Sequence, residues 1–158
     1  MKSSKEKYYN LTKNSKPHLN VLNFLDLNVP PGKAVDLGCG AGRDTIELLK
    51  NNWSVLSIDK EDTEPFIREQ LTQQESEKFK FKTCYFGEMN LPNVNLIVAN
   101  YSLPFSKKEF FSDIWENITS SLLEERLFCW EFFWKKGYMG RNKRKSNFFN
   151  RTGSQGTF

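Results

Sequence analysis

The chain predicts an α/β fold built on a parallel sheet, and three observations carry that prediction. Short apolar runs at residues 33–37, 53–58, 79–85 and 94–99 have the length and branching of buried strands. Helical patterns fall between them, so successive strands pair in parallel through right-handed crossovers. The first strand runs through Val35-Asp36-Leu37 into Gly38-Cys39-Gly40-Ala41-Gly42-Arg43-Asp44, a glycine-dense turn opening a helix, and the second strand closes on Ile58-Asp59.

Each element has a local reason. Pro17 opens a helix through Leu19, Val21, Leu22, Phe24 and Leu25, because a first turn tolerates a residue without an N–H. Pro30-Pro31-Gly32 ends that approach, and the first strand follows at 33–37. The helix at 43–51 carries Asp44 in its first turn, where a carboxylate complements the dipole. A second helix covers 62–74 with Pro65 in its first turn, and a further one covers 107–122. His18, the single histidine, lies on an amphipathic stretch and reads as a surface residue.

The turn and the carboxylate after it carry chemistry. Residues without a Cβ at Gly38, Gly40 and Gly42 let the backbone bend sharply and let a ligand approach. Asp59, an acceptor-only group at the carboxyl end of its strand, suits the two hydroxyl donors of a ribose. A dinucleotide site has G-x-G-x-x-G; here the third glycine comes one position earlier and Arg43 holds the place of the last small residue. That spacing argues against a nicotinamide dinucleotide.

Asp36 followed by Gly38, Gly40 and Gly42 resembles the first motif of the class I S-adenosylmethionine-dependent methyltransferases. Gly42-Arg43-Asp44-Thr45 with Glu47-Leu48-Leu49, and Asn100-Tyr101-Ser102-Leu103-Pro104-Phe105, resemble the tellurite-resistance type within that superfamily, over roughly residues 8–122. The resemblance implies a Rossmann-like sheet of order 3-2-1-4-5. It implies S-adenosyl-L-methionine as cofactor, held by Asp36, Gly38, Cys39, Gly40, Gly42, Asp59, Lys60, Glu88 and Asn100. Tyr101, Ser102 and Phe105 would face a small-molecule methyl acceptor, and Tyr9 would close over the site from the N-terminal arm. Displacement at a methyl carbon on positive sulfur needs alignment and desolvation more than acid–base help, so no general base is assigned.

At 158 residues the chain is long enough for one domain with a sizeable core. Its three cysteines, Cys39, Cys84 and Cys129, show no C-x-x-C pairing, so neither a zinc site nor a disulfide framework is expected, and a reducing cytoplasm fits. Residues 1–10 are polar and lysine-rich without an apolar core, so no secretory signal is expected, and no apolar run is long enough to span a bilayer. The formal charge of +4 is unevenly spread: eight Lys or Arg face three Glu from Leu122 onward, leaving 15 basic and 16 acidic residues before it.

The expected division is a cofactor-binding domain at 1–122 and a non-native or disordered tail at 123–158. A class I methyltransferase should continue with a glycine turn, a fifth strand and two more strands around a helix, so the distal strands are expected to be missing. Shifting the reading by one nucleotide offers a reason. Trp130 before Glu131 and Trp134 before Lys135 must then both yield glycine, and the codons of residues 129–134 permit Val-Gly-Asn-Phe-Phe-Gly, a plausible fifth strand. The tail therefore reads as a frameshift product, and the shortened protein as one whose activity is in doubt. Two other readings have their own tests. Lys135, Lys136, Arg141, Lys143, Arg144 and Lys145 among Trp134, Tyr138, Phe148 and Phe149 could bind nucleic acid, which salt-dependent binding lost with the tail would reveal. A nicotinamide-dependent reductase would reveal itself by competition with NADH.

Overall fold

In a computed structural model the structure describes residues 4–103, 106, 108–131, 146–150 and 155–157. The elements run α1 (Ser4–Thr12), α2 (Leu19–Leu25), β1 (Lys33–Leu37), α3 (Arg43–Lys50), β2 (Ser54–Asp59), α4 (Glu64–Arg68), α5 (Gln73–Glu77), β3 (Phe79–Thr83), β4 (Val94–Asn100), α6 (Phe111–Ser121), β5 (Leu122–Glu131), β6 (Ser146–Asn150) and β7 (Gln155–Thr157). Short 3₁₀ turns occupy Phe86–Glu88 and Lys108–Phe110.

The strands form one sheet of order β3-β2-β1-β4-β5-β6-β7. The pairs β2–β3, β1–β2, β1–β4 and β4–β5 are parallel, which is the expected 3-2-1-4-5 arrangement. The register sets Val35 against Leu56 and Ile97, and Asp36 against Ser57 and Val98. Because β1 has β2 on one side and β4 on the other, the strand order reverses between β1 and β4. Their carboxyl ends frame the crevice where open α/β sheets bind ligands.

Alternate residues of each central strand enter opposite cores, as expected where both faces are covered. Ala34, Val55, Leu96 and Val98 pack with Val21, Phe24, Leu48, Leu49 and Trp53 on one face, where the Phe24 and Trp53 rings meet edge-on with centroids 5.4 Å apart. Val35, Leu37, Ile58, Ile97 and Ala99 pack with Ile114, Ile118 and Leu122 on the other.

One sequence expectation changes. The single helix at 62–74 is two short helices, because Thr72 and Glu75 form a reciprocal capping box that starts α5 afresh. The polar N-terminus, to which the sequence assigned no element, is helix α1, with none of its residues buried. Beyond Leu122, β5 runs beside β4, with β6 and β7 added antiparallel.

Candidate functional site

All three glycines of the turn have left-handed backbones, with φ of +73° at Gly38, +52° at Gly40 and +86° at Gly42. Their surroundings differ. A Cβ at Gly38 would lie 2.3 Å from the Ser102 Cβ, and one at Gly42 would lie 2.6 Å from the Ile67 Cγ1. At those two glycines the missing Cβ makes room for protein side chains. A Cβ at Gly40 would meet only the edge of the Tyr9 ring, at a van der Waals distance of 4.0 Å.

Asp59 organises this turn. One carboxylate oxygen accepts the Gly40 N–H at 2.9 Å and the other accepts the Glu61 N–H at 3.0 Å. An ionised carboxylate offers about four lone-pair sites, so each oxygen keeps one for a ligand hydroxyl. Tyr9 roofs the group: its ring packs on Phe66 at 5.5 Å, and burial, followed by the Asp59 charge, pushes its phenol up to about 12. Helix α1 is held there by ion pairs from Lys5 to Glu61 and from Lys13 to Glu69.

Asp36 lies beneath the turn and is 3% exposed. It accepts the Thr45 hydroxyl at 2.7 Å, and Thr45 in turn meets the Ser57 hydroxyl at 2.7 Å. Burial, then the nearby Asp44 charge, lift its carboxyl to about 8. Cys39 is buried against Thr63, and burial holds its thiol well above the usual range, so it is inert as a nucleophile.

Across the crevice, the tip of β4 joins a second polar group. Asn100 donates to Asp44 at 2.8 Å and exchanges two hydrogen bonds with Asn20. Asp44 also accepts the His18 backbone N–H at 2.8 Å and the His18 ring Nδ1–H at 2.6 Å. Burial acts to raise its pKa, but the hydrogen bonds from His18 and Asn100 prevail and hold it below the ordinary value. His18 is thus not a surface residue, and Asp44 does more than complement a dipole. Tyr101 has a left-handed φ of +54° and sets its ring 5.1 Å from the imidazole. Backbone strain of this kind in a bulky residue concentrates at functional sites.

The structure therefore gathers Asp36, Gly38, Cys39, Gly40, Gly42, Asp59, Tyr9 and Ser102 around the turn, and Asn100 and Tyr101 beside it. Ser102 is 7% exposed and its Oγ has no hydrogen-bond partner among the described residues. Lys60 and Glu88 are exposed at the same edge and join neither polar group. Phe105 lies outside the described residues. A cleft of about 250 Å³ lined by Leu49, Lys50, Asn52, Thr72, Gln74, Glu75 and Lys78 sits at the other end of the sheet and holds none of these groups. Among the described residues, no cluster of His, Cys, Asp and Glu could hold a metal ion, and no helix is long and apolar enough to cross a membrane.

Solved structures share this fold. The TehB protein of Haemophilus influenzae superposes with a TM-score of 0.66 at 23% identity, over 80% of this chain and 45% of that one. A Burkholderia thailandensis 1,6-didemethyltoxoflavin N1-methyltransferase, solved with 1,6-didemethyltoxoflavin and S-adenosylhomocysteine, gives 0.64 at 19% identity, over 87% and 58%. The glycopeptide N-methyltransferase MtfA, solved with sinefungin, gives 0.64 at 13% identity, over 75% and 51%. The chain spans about half the length of these proteins. No curated protein matches it. A family model described as tellurite resistance protein TehB matches residues 1–124, the part that builds β1 to β4 and both polar groups, and the chain accordingly belongs to the TehB family.

Proposed function

We infer that this chain is an S-adenosylmethionine-dependent methyltransferase domain acting on a small-molecule acceptor. The observation that carries the reading is Asp59, fixed by two backbone N–H groups at the mouth of a glycine turn whose middle glycine has only the Tyr9 ring against it. The residues fit a sulfonium nucleoside. Asp59 keeps acceptor capacity for two ribose hydroxyls, Gly40 leaves room for close approach, and Ser102 Oγ is a buried group in want of a partner. The ligands in the related structures, S-adenosylhomocysteine and the analogue sinefungin, support the same cofactor.

When bound, S-adenosylmethionine supplies a methyl carbon made electrophilic by positive sulfur. The chain's part is to bind, align and keep water out. Asp59 and Gly40 fix the nucleoside, and Tyr9 with Phe66 covers it. Asp36, buried beneath the turn, places an ionisable carboxyl where a cationic ligand favours its charged form. Tyr101 and Ser102, at the tip of β4, face the acceptor, and alignment supplies the rate.

Residues 1–122 form the working domain and 123–158 a frameshifted extension. The family match ending at residue 124 and the basic excess beyond Leu122 both support that division. Codons incompatible with the shifted reading would refute it. Calorimetry on the intact chain tests the cofactor: S-adenosylhomocysteine binds, and Asp59→Asn weakens it by roughly tenfold or more, the loss of a charge-assisted hydrogen bond. Absence of binding at millimolar ligand eliminates the reading.

A further inference from the structure

The two ring nitrogens of His18 have hydrogen-bond roles that their neighbours dictate. Arg43 Nη2 is in hydrogen-bond contact with His18 Nε2, and a guanidinium only donates, so Nε2 must be an acceptor. The single proton then sits on Nδ1 and points at Asp44 Oδ2, 2.6 Å away. Asp44 is fixed by Asn100, and Asn100 by Asn20, so the chain of bonds is anchored in buried structure. It ends on a half-buried guanidinium whose described hydrogen bond goes to a neutral ring. Among the described residues no carboxylate lies within ion-pairing distance of Arg43. Arg43 opens α3 directly after the glycine turn, beside the β1/β4 crevice.

A positive group held by a relay, with most of its five donors unspent and no described carboxylate in direct contact, is built to receive an anion. We propose that Arg43, aimed by the Asp44–His18 pair, binds an anionic oxygen of a ligand in the β1/β4 crevice, with His18 as a positioning residue. The chemistry is that of a carboxylate or similar oxyanion. It belongs either to the amino-acid end of the cofactor or to the methyl acceptor, and the inference rests on the methyltransferase reading for that choice of ligands. The strained Tyr101 backbone, which sets its ring on the imidazole, is a separate sign that this corner serves a ligand and not only helix docking.

The single histidine makes the site observable in the unaltered protein, since every imidazole signal reports on it. Nitrogen-15 spectra of histidine-labelled protein show the Nδ1–H tautomer; an Nε2–H tautomer would overturn the relay. Acetate added at constant ionic strength shifts those signals where chloride does not, in wild type and not in Arg43→Met. Calorimetry then separates the two sources using S-adenosylhomocysteine and 5′-methylthioadenosine, which lacks the amino-acid carboxylate. If Arg43→Met weakens the first by roughly ten- to a hundredfold and leaves the second alone, the anion is the cofactor's carboxylate. Arg43→Lys recovers part of the loss. His18→Asn, which keeps a donor for Asp44 but offers Arg43 no ring acceptor, loses part of it. If both nucleosides bind Arg43→Met as tightly as wild type while acetate still shifts the wild-type signals, the anion is the acceptor's. No effect of Arg43→Met on either nucleoside, together with no acetate shift, overturns the proposal. The acetate arm needs no nucleoside, so failure of both nucleosides to bind wild type would sink the methyltransferase reading and leave this one to be decided on its own.

Discussion

Replacing Asp36 by Asn should stabilise the protein at neutral pH while damaging its cofactor site. Asp36 is 3% exposed, and burial followed by the Asp44 charge lifts its carboxyl from 3.8 to about 8, against the opposing pull of the Thr45 hydroxyl. The sign follows from linkage. Between pH 4 and pH 8 the native state holds a proton that the unfolded chain has released, so stability falls as pH rises through that window. Each pH unit costs up to about 1.4 kcal/mol, which makes the cost at pH 7 roughly 4 kcal/mol. An Asn has no charge to neutralise and its carbonyl still accepts from Thr45, although its buried amide N–H₂ loses about 1 kcal/mol or more for want of a full set of partners. The net gain for Asp36→Asn at pH 7 is therefore roughly 1–3 kcal/mol. Urea denaturation of both proteins from pH 5 to 8.5 measures it, and subtracting the two curves removes groups unaffected by the substitution. The difference should widen with pH and level off above pH 8. Because Asp36 and Asp44 interact, the titration belongs to the pair, and Asp44→Asn should move the levelling point to lower pH. A flat difference, with the variant less stable at pH 7, would mean that Asp36 folds with its charge intact and that the argument from burial is wrong.

Three further outcomes follow from the geometry. Gly42→Ala, with φ +86° and the Ile67 side chain at 2.6 Å, should cost roughly 2–4 kcal/mol, whereas Gly40→Ala, with its nearest neighbour at 4.0 Å, should cost only the roughly 1–2 kcal/mol of a left-handed backbone. Chemical denaturation ranks the two, and the reverse order contradicts the assigned surroundings. Phe24→Ala, at a ring 2% exposed and set edge-on to Trp53, should cost roughly 3–5 kcal/mol, and a loss below about 1 kcal/mol would show that the ring lies outside the core. Ultraviolet titration of Tyr9→Phe should delete a phenol that ionises near pH 12 in the wild type; deletion of one ionising near pH 10 would remove Tyr9 from the roof over Asp59.

The parallel sheet was legible because its strands are buried on both faces. A strand such as Ala34-Val35-Asp36-Leu37 then reads as nearly continuous apolar residues, and its boundaries follow from Gly32 on one side and Gly38 on the other. The first half of the site was legible for the same local reason: glycine spacing and a strand-ending carboxylate lie within 22 residues of one another. The second half was not. His18 and Asp44 are 26 residues apart and Asn20 and Asn100 are 80 apart, so nothing in their neighbourhoods signals that they meet. Asp44 in a first turn suggests only a dipole effect, which masks its stronger role. The break between α4 and α5 did have a signal, Thr72 with Glu75 three residues later, which the helical pattern across 62–74 overrode. Helix α1 had none, since it buries no apolar stripe and is held to the body by Tyr9 and two ion pairs.

The two polar groups give the crevice opposite electrical character on its two sides. Toward β2 stand Asp36 and Asp59, two carboxylates of which one is held uncharged by burial at neutral pH; at the opening of α3 stands Arg43, a guanidinium with no described carboxylate in ion-pairing contact. Neither feature helps the empty protein fold: the first costs stability as pH rises, and the second exposes a cation to a half-buried setting. A ligand carrying both a cationic centre and a carboxylate would compensate both at once, drawing the proton off Asp36 and satisfying Arg43. Binding such a ligand at pH 7 should then release close to one proton, which calorimetry in two buffers of different ionisation enthalpy reads directly and which Asp36→Asn should abolish. A neutral nucleoside should release none. Equal release by the two would locate the titrating group elsewhere and break the link between the buried carboxyl and the charge of the ligand.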